Sequence, residues 1–154
     1  MRVARLAVGL ALTAILWAQQ QPGVLTVTPV EKVRGSRNQE LSVKVTAQLK
    51  PGYHVNSDKP GDEYLIPLKL TWQAAPLEVD KVAYPPAQSA KFDFSEKPLS
   101  VYSGSFDLVT KMKVPANAAA GPVLATGKLR YQACNDRMCL PPKTIEVPVT
   151  FEIH

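Results

Sequence analysis

Apolar and polar positions alternate along most of the chain after residue 23. Leu41, Val43, Val45, Ala47 and Leu49 are spaced two apart with polar residues between them. That is the period of a strand with one buried face. Ile66, Leu68, Leu70 and Trp72 repeat it. So do Phe106, Leu108, Thr110, Met112 and Val114, then Val123, Ala125, Gly127, Leu129 and Tyr131. Ile145, Val147, Val149, Phe151 and Ile153 complete the set. Shorter strand candidates lie at 24–30, 53–56, 77–84 and 99–103. No stretch after residue 23 keeps a helical apolar period for three turns. Pro51-Gly52, Pro60-Gly61, Pro85-Pro86, Gly121-Pro122 and Pro141-Pro142 fall between the candidates and read as turns.

Many short strands with frequent turn signals predict an all-β fold, an immunoglobulin-like β-sandwich. Pro148 interrupts a good strand pattern, which predicts an edge or a bulge there. Residues 86–98 break the rhythm and predict a polar loop carrying Phe92 and Phe94. Two readings of those rings stand side by side. They anchor the loop onto the sandwich, or they form a lid over a reactive site.

The N-terminus has a different character. Arg2 and Arg5 flank an uncharged apolar run, Leu6 to Trp17, which ends abruptly at Gln19-Gln20-Gln21. This is the pattern of a secretory signal peptide, with cleavage expected after Ala18. The run is shorter than the ~20 residues a membrane-spanning helix needs. The expected division is a signal peptide over 1–18 and one domain over 19–154, exported to the periplasm. The formal charge of +5 loses two units with that peptide, and the remaining basic residues are scattered. Nothing in that pattern suits nucleic acid.

The chemistry resides in the two cysteines, Cys134 and Cys139. They enclose Asn135-Asp136-Arg137-Met138, a turn-forming run. A strand over 123–133 leads into Cys134, and one over 143–151 starts just after Cys139 and Pro141-Pro142. The cysteines are thus expected across the mouth of a hairpin with a four-residue loop. Facing residues of an antiparallel pair have Cα atoms ~4.5–5.5 Å apart, within the range a disulfide accepts. Such a bridge has two readings. It is a structural staple of a non-catalytic binding module, or an exchanging redox pair. A loop this short removes little unfolded-chain entropy when closed, and exposed bridges are the more labile ones. A third reading takes Cys134, Cys139, Met138 and His54 as soft donors for Cu(I). Their spacing fits no zinc pattern.

The run Tyr131-Gln132-Ala133-Cys134-Asn135-Asp136-Arg137-Met138-Cys139-Leu140-Pro141-Pro142 resembles the active-site segment of the N-terminal periplasmic domain of the DsbD family of thiol:disulfide interchange proteins. Gly52-Tyr53-His54-Val55-Asn56-Ser57 resembles a strand near the start of that domain. Val101-Tyr102, with the strand at 105–114, resembles the one after its cap loop. The resemblance covers roughly 24–153. It implies an immunoglobulin-like fold with a redox hairpin and a cap loop bearing a shielding phenylalanine. By position, Cys134 and Cys139 are the redox pair. Cys139 exchanges with the partner and Cys134 resolves. Phe92 or Phe94 is the cap aromatic, and His54, Asn56 and Tyr131 line the site, the first two where the family often has tyrosines. No cofactor or metal is implied. The implied partners are thioredoxin-like proteins, a membrane thiol reductant and client disulfide proteins, including those of cytochrome c biogenesis, with the domain itself a monomer. The inter-cysteine loop is one residue shorter than in the best-known members. The family's membrane and thioredoxin-like domains do not follow within these residues, so the reductant is expected to be a separate protein.

Overall fold

The computed structural model describes residues 23–154, and the signal peptide expected over 1–18 lies outside them. Twelve strands form three four-stranded sheets. The first sheet contains β1 (Leu25–Val27), β3 (Glu40–Leu49), β9 (Ser105–Lys113) and β6 (Glu78–Ala83), in that order. The second contains β2 (Val33–Gly35), β12 (Lys143–Ile153), β10 (Gly121–Tyr131) and β5 (Lys69–Gln73). The third is small: β11 (Ala133–Cys134), β4 (His54–Asn56), β8 (Leu99–Ser103) and β7 (Gln88–Ala90). The domain is the expected all-β sandwich.

The alternation explains the packing. Leu41, Val43, Val45, Ala47 and Leu49 of β3 are buried while their neighbours face outward. Phe106, Leu108 and Met112 of β9 join them, and from the second sheet come Leu70, Ala125, Leu129, Val147, Val149, Phe151 and Ile153, all in one core. Thr110 is a polar residue in this apolar setting. Its hydroxyl accepts the Trp72 indole N–H at 2.9 Å, tying the two sheets together. Gly127 lies opposite Trp72 in the ladder, and a Cβ there would come within 3.1 Å of the indole. The bare backbone is what lets that ring come so close to β10.

Several short elements differ from the sequence reading. Within 24–30 the strand itself is Leu25–Val27, with Val24 and Thr28 adding one backbone hydrogen bond each to Lys50 and Thr46. The alternation from Ile66 becomes a strand only at Lys69, because Pro67 has no N–H to give and Leu68 N donates to Ser57 O instead. β2 is too short to show a period and is held by parallel pairing to the end of β12. Within the expected loop over 86–98, Gln88–Ala90 is a strand paired with β8, so the loop proper is 91–98. Pro148 behaves as an edge residue. Its partner Thr126 lies on one side, while β2 reaches only Phe151–Ile153 on the other.

The third sheet is assembled from strands that leave the sandwich. After β3, the turn at Gly52 (φ 83°) redirects the chain into β4. Between β8 and β9, Gly104 (φ 65°) bends a nearly continuous strand from the third sheet into the first. L-residues with side chains rarely adopt such φ values, so glycine suits these two bends. β10 ends at Tyr131, and after Gln132 the chain pairs with β4 as β11.

Candidate redox site

β11 has two residues, and they face opposite ways because side chains alternate across a strand. Ala133 pairs with Val55, which pairs in turn with Tyr102, and all three belong to the core. The other face carries a second row. Cys134 lies opposite His54, and His54 lies opposite Ser103. Asn56 shares the face of His54, two residues along β4. One side of the third sheet therefore builds core, and the other presents a cysteine beside two buried polar side chains.

The cysteines close a disulfide with an S–S distance of 2.01 Å and a Cα–Cα distance of 3.9 Å. They face each other across an isolated bridge that spans the four-residue loop. This departs from a simple extension of the β10–β12 hairpin. The β10–β12 ladder runs from Gly121↔Ile153 to Tyr131↔Lys143, and the cysteines lie beyond its end. They form a smaller hairpin docked on a different sheet. Leu140 N donates to Ala133 O at 2.8 Å and Asn135 N to Met138 O at 2.9 Å. The Asn135 side-chain oxygen accepts from Arg137 N and Met138 N at 2.9 and 2.8 Å. This Asx-type closure is the local reason the loop is tight. Gln132 Nε2 donates to Leu140 O at 3.2 Å and holds the returning limb. Pro141 and Pro142 cannot donate to a ladder, so pairing resumes only with β12.

Burial divides the pair. Cys134 is 1% exposed, whereas Cys139 is exposed. Met138, beside it, is 57% exposed. Of the two residues, Cys139 is the one that solvent reaches. Arg130, Arg137 and Lys143 are exposed, and Lys128 is partly buried.

The loop over 91–98 supplies rings. Phe92 stacks on His54, centroids 4.1 Å apart and planes 19° from parallel. Phe94 stacks on Phe92 at 5.3 Å and 12°. The inner ring is half-buried and the outer is 43% exposed. The loop is braced internally. The Lys91 ammonium donates to the carbonyls of Ser95 and Glu96, Ser95 N to Phe92 O at 3.1 Å, and Ser95 Oγ to Lys97 O at 2.7 Å. The chain ahead of β7 is tied separately to the core face of the sheet. The Tyr102 hydroxyl donates to Asp58 Oδ1 at 2.6 Å and lies 3.1 Å from Pro85 O. Burial first, and the bond to Asp58 second, raise that phenol well above its ordinary value.

His54 is 5% exposed and Asn56 1%. Asn56 Nδ2 donates to Ile66 O at 3.0 Å. His54 Nε2 and Asn56 Oδ1 are buried without a hydrogen-bond partner. Burial lowers the imidazole pKa below its ordinary 6.5. The structure thus gathers Cys134, His54, Asn56 and Phe92 on and over one face, with Cys139 at the rim. Tyr131 goes elsewhere. It belongs to the core, 3% exposed, with its hydroxyl by the Leu25 backbone. Ser103 completes the row and was not singled out from sequence. Its hydroxyl donates to Gln88 Oε1 at 2.8 Å, across the β7–β8 pair.

Fold and site together define an immunoglobulin-like domain with a short-range disulfide, one cysteine buried and one exposed, beside an aromatic-bearing loop. The family model of the thiol:disulfide interchange protein DsbD, N-terminal, matches residues 21–150, and the chain belongs to that family. The chemistry at family level is thiol–disulfide exchange. Among solved structures, the N-terminal periplasmic domain of ScsB from Proteus mirabilis superposes with a TM-score of 0.54 at 16% identity. That match covers 80% of this chain and 43% of the other. The reduced DsbD N-terminal domain of Neisseria meningitidis gives a TM-score of 0.48 at 18% identity, covering 72% and 78%. A type I cohesin from Pseudobacteroides cellulosolvens gives 0.48 at 15%, covering 84% and 92%. No curated protein matches the sequence.

Proposed function

We propose that the domain works in the periplasm as a protein-disulfide reductase module, cycling Cys134 and Cys139 between dithiol and disulfide. The observation that carries this reading is the division of the pair, with Cys139 exposed and Cys134 buried. Exchange needs one accessible sulfur and one held in reserve. In the reducing direction the Cys139 thiolate attacks a client disulfide. A mixed disulfide forms, and the client's other sulfur leaves as a thiolate. Cys134, deprotonated, attacks Cys139 Sγ and expels the second client thiolate. Two electrons pass from the dithiol to the client. Running the steps backwards, a reduced thioredoxin-like protein or membrane thiol reductant reloads the domain. Phe92 and Phe94 act as the cap that excludes unsuited thiols, and His54 and Asn56 line the space beneath it. The domain acts as a monomer, after export and cleavage near Ala18.

The test is trapping. Cys134→Ser, reduced and mixed with an oxidised thioredoxin-like protein, accumulates a mixed disulfide through Cys139. Cys139→Ser accumulates far less. Equal trapping by both variants, or by neither, contradicts the assignment.

A further inference from the structure

Resolution by Cys134 poses a problem of proton chemistry. The attacking species is a thiolate, yet Cys134 is 1% exposed. A thiol buried in apolar surroundings is a weaker acid than a free one. Among the described residues no helix N-terminus is available to favour the anion, and Arg130, Arg137 and Lys143 are exposed.

We propose that His54 is the general base that takes the proton from Cys134 as Cys134 displaces a partner from Cys139. The inference rests on the exchange reading and adds the residue that makes its second step possible. Three observations converge. First, the register puts His54 directly across from Cys134 on one face of the third sheet, and such neighbours have Cβ atoms about 4.5–5.5 Å apart. Second, His54 Nε2 is buried without a partner in the disulfide form. Buried polar atoms are rarely left so. A disulfide has no S–H to offer, whereas reduction gives Cys134 a donor. The missing partner is one that the redox cycle itself supplies. Third, the ring is held between its strand and Phe92.

The groups around His54 leave it neutral. β11 contributes Cys134, β8 contributes the uncharged Ser103, and the cap contributes Phe92. The charged residues flanking Phe92, Lys91 and Asp93, are exposed, and Lys91 is engaged by loop carbonyls. Burial lowers the imidazole pKa and so favours the neutral form. The step balances. The Cys134 S–H bond breaks and its proton goes to His54 Nε2. The Cys134–Cys139 bond forms as the Cys139–partner bond breaks. The departing thiolate then takes the proton from the imidazolium.

The test uses the reduced full domain mixed with a stoichiometric amount of 5,5′-dithiobis(2-nitrobenzoate), following release of thionitrobenzoate. The first, concentration-dependent phase is attack by one thiol. The second, concentration-independent phase is resolution by the other. His54→Gln should slow the second phase by about a hundredfold at neutral pH, the lower end of what a placed base contributes. The wild-type second phase should be flat near neutrality and fall as acid protonates His54. In the variant it should climb with pH until the thiol itself ionises. His54→Phe keeps a ring against Phe92 and should behave as His54→Gln does, so the test survives if one variant misfolds. Wild-type rate and pH profile in a folded variant overturn the role of His54. A wild-type protein that releases one equivalent of thionitrobenzoate and keeps the mixed disulfide overturns the exchange reading itself.

Discussion

Phe92 lies against His54 with ring centroids 4.1 Å apart, and His54 is the cross-strand neighbour of Cys134. The 91–98 loop therefore meets the cysteine-bearing strand by way of one imidazole. Phe94 is the outer member of the same stack. The loop is braced by its own hydrogen bonds and rests on His54 by ring contacts.

The two phenylalanines should differ. Phe92→Ala removes the ring on His54 and should speed reduction of the disulfide by dithiothreitol several-fold. Phe94→Ala removes an exposed outer ring and should do less. The midpoint potential should move much less than the rates, because shielding changes the barrier in both directions. Stopped-flow reduction checks the order. Equal, wild-type rates in both variants would make the loop an ordinary connection.

Breaking the bridge should leave the fold. The core is supplied by the alternating faces of β3, β9, β10 and β12. Closing so short a loop is worth about 2 kcal/mol in the chain-entropy view. Cys139→Ser should thus retain a β-type circular dichroism spectrum and lose at most about that much stability in urea. Global unfolding of the variant would return the bridge to a structural role.

Acid should weaken the domain in part through His54. Its folded-state pKa lies below the ordinary 6.5 because burial disfavours the cation. Between the two values the unfolded chain binds more protons, so stability rises with pH there. The neutral-side stability is present above the unfolded value and declines as pH falls toward the folded one. His54→Gln should flatten that part of the stability profile, measured by urea unfolding at a series of pH values. An unchanged slope would remove His54 from the acid response.

Tyr102→Phe separates scaffold from chemistry. It deletes the hydroxyl bonded to Asp58, which should cost about 1–3 kcal/mol. Tyr102 points into the core face of the third sheet, away from Cys134. Both phases of the thionitrobenzoate reaction should keep their rates. A selective loss of the second phase would show that the core face also tunes the thiols.

The long strands were legible because each repeats its period several times. The buried faces of β3 and β9 coincide with the alternating residues of the sequence. Of the third sheet, β8 was read with its bounds and β4 to within one residue, whereas β7 and β11, of three and two residues, have no period to read. The cysteine pair was visible from its residues alone. Its partner was harder, because the pairing of Cys134 with His54 joins residues eighty positions apart. The resemblance placed His54 and Asn56 near the site, but only the register puts His54 beside Cys134. Tyr131 shows the converse. It is adjacent to the motif in sequence, yet the chain changes sheets at Gln132 and the ring stays with the core. Proximity along the chain did not report which face a side chain takes.

The most direct test of the exchange reading is the reduction potential of Cys134–Cys139, measured by equilibration with glutathione or dithiothreitol and thiol alkylation. An exchanging pair should equilibrate within the working range of periplasmic thiol carriers, above about −300 mV. A value well below that, with a bridge that resists these reductants, would make it a structural staple and contradict the account.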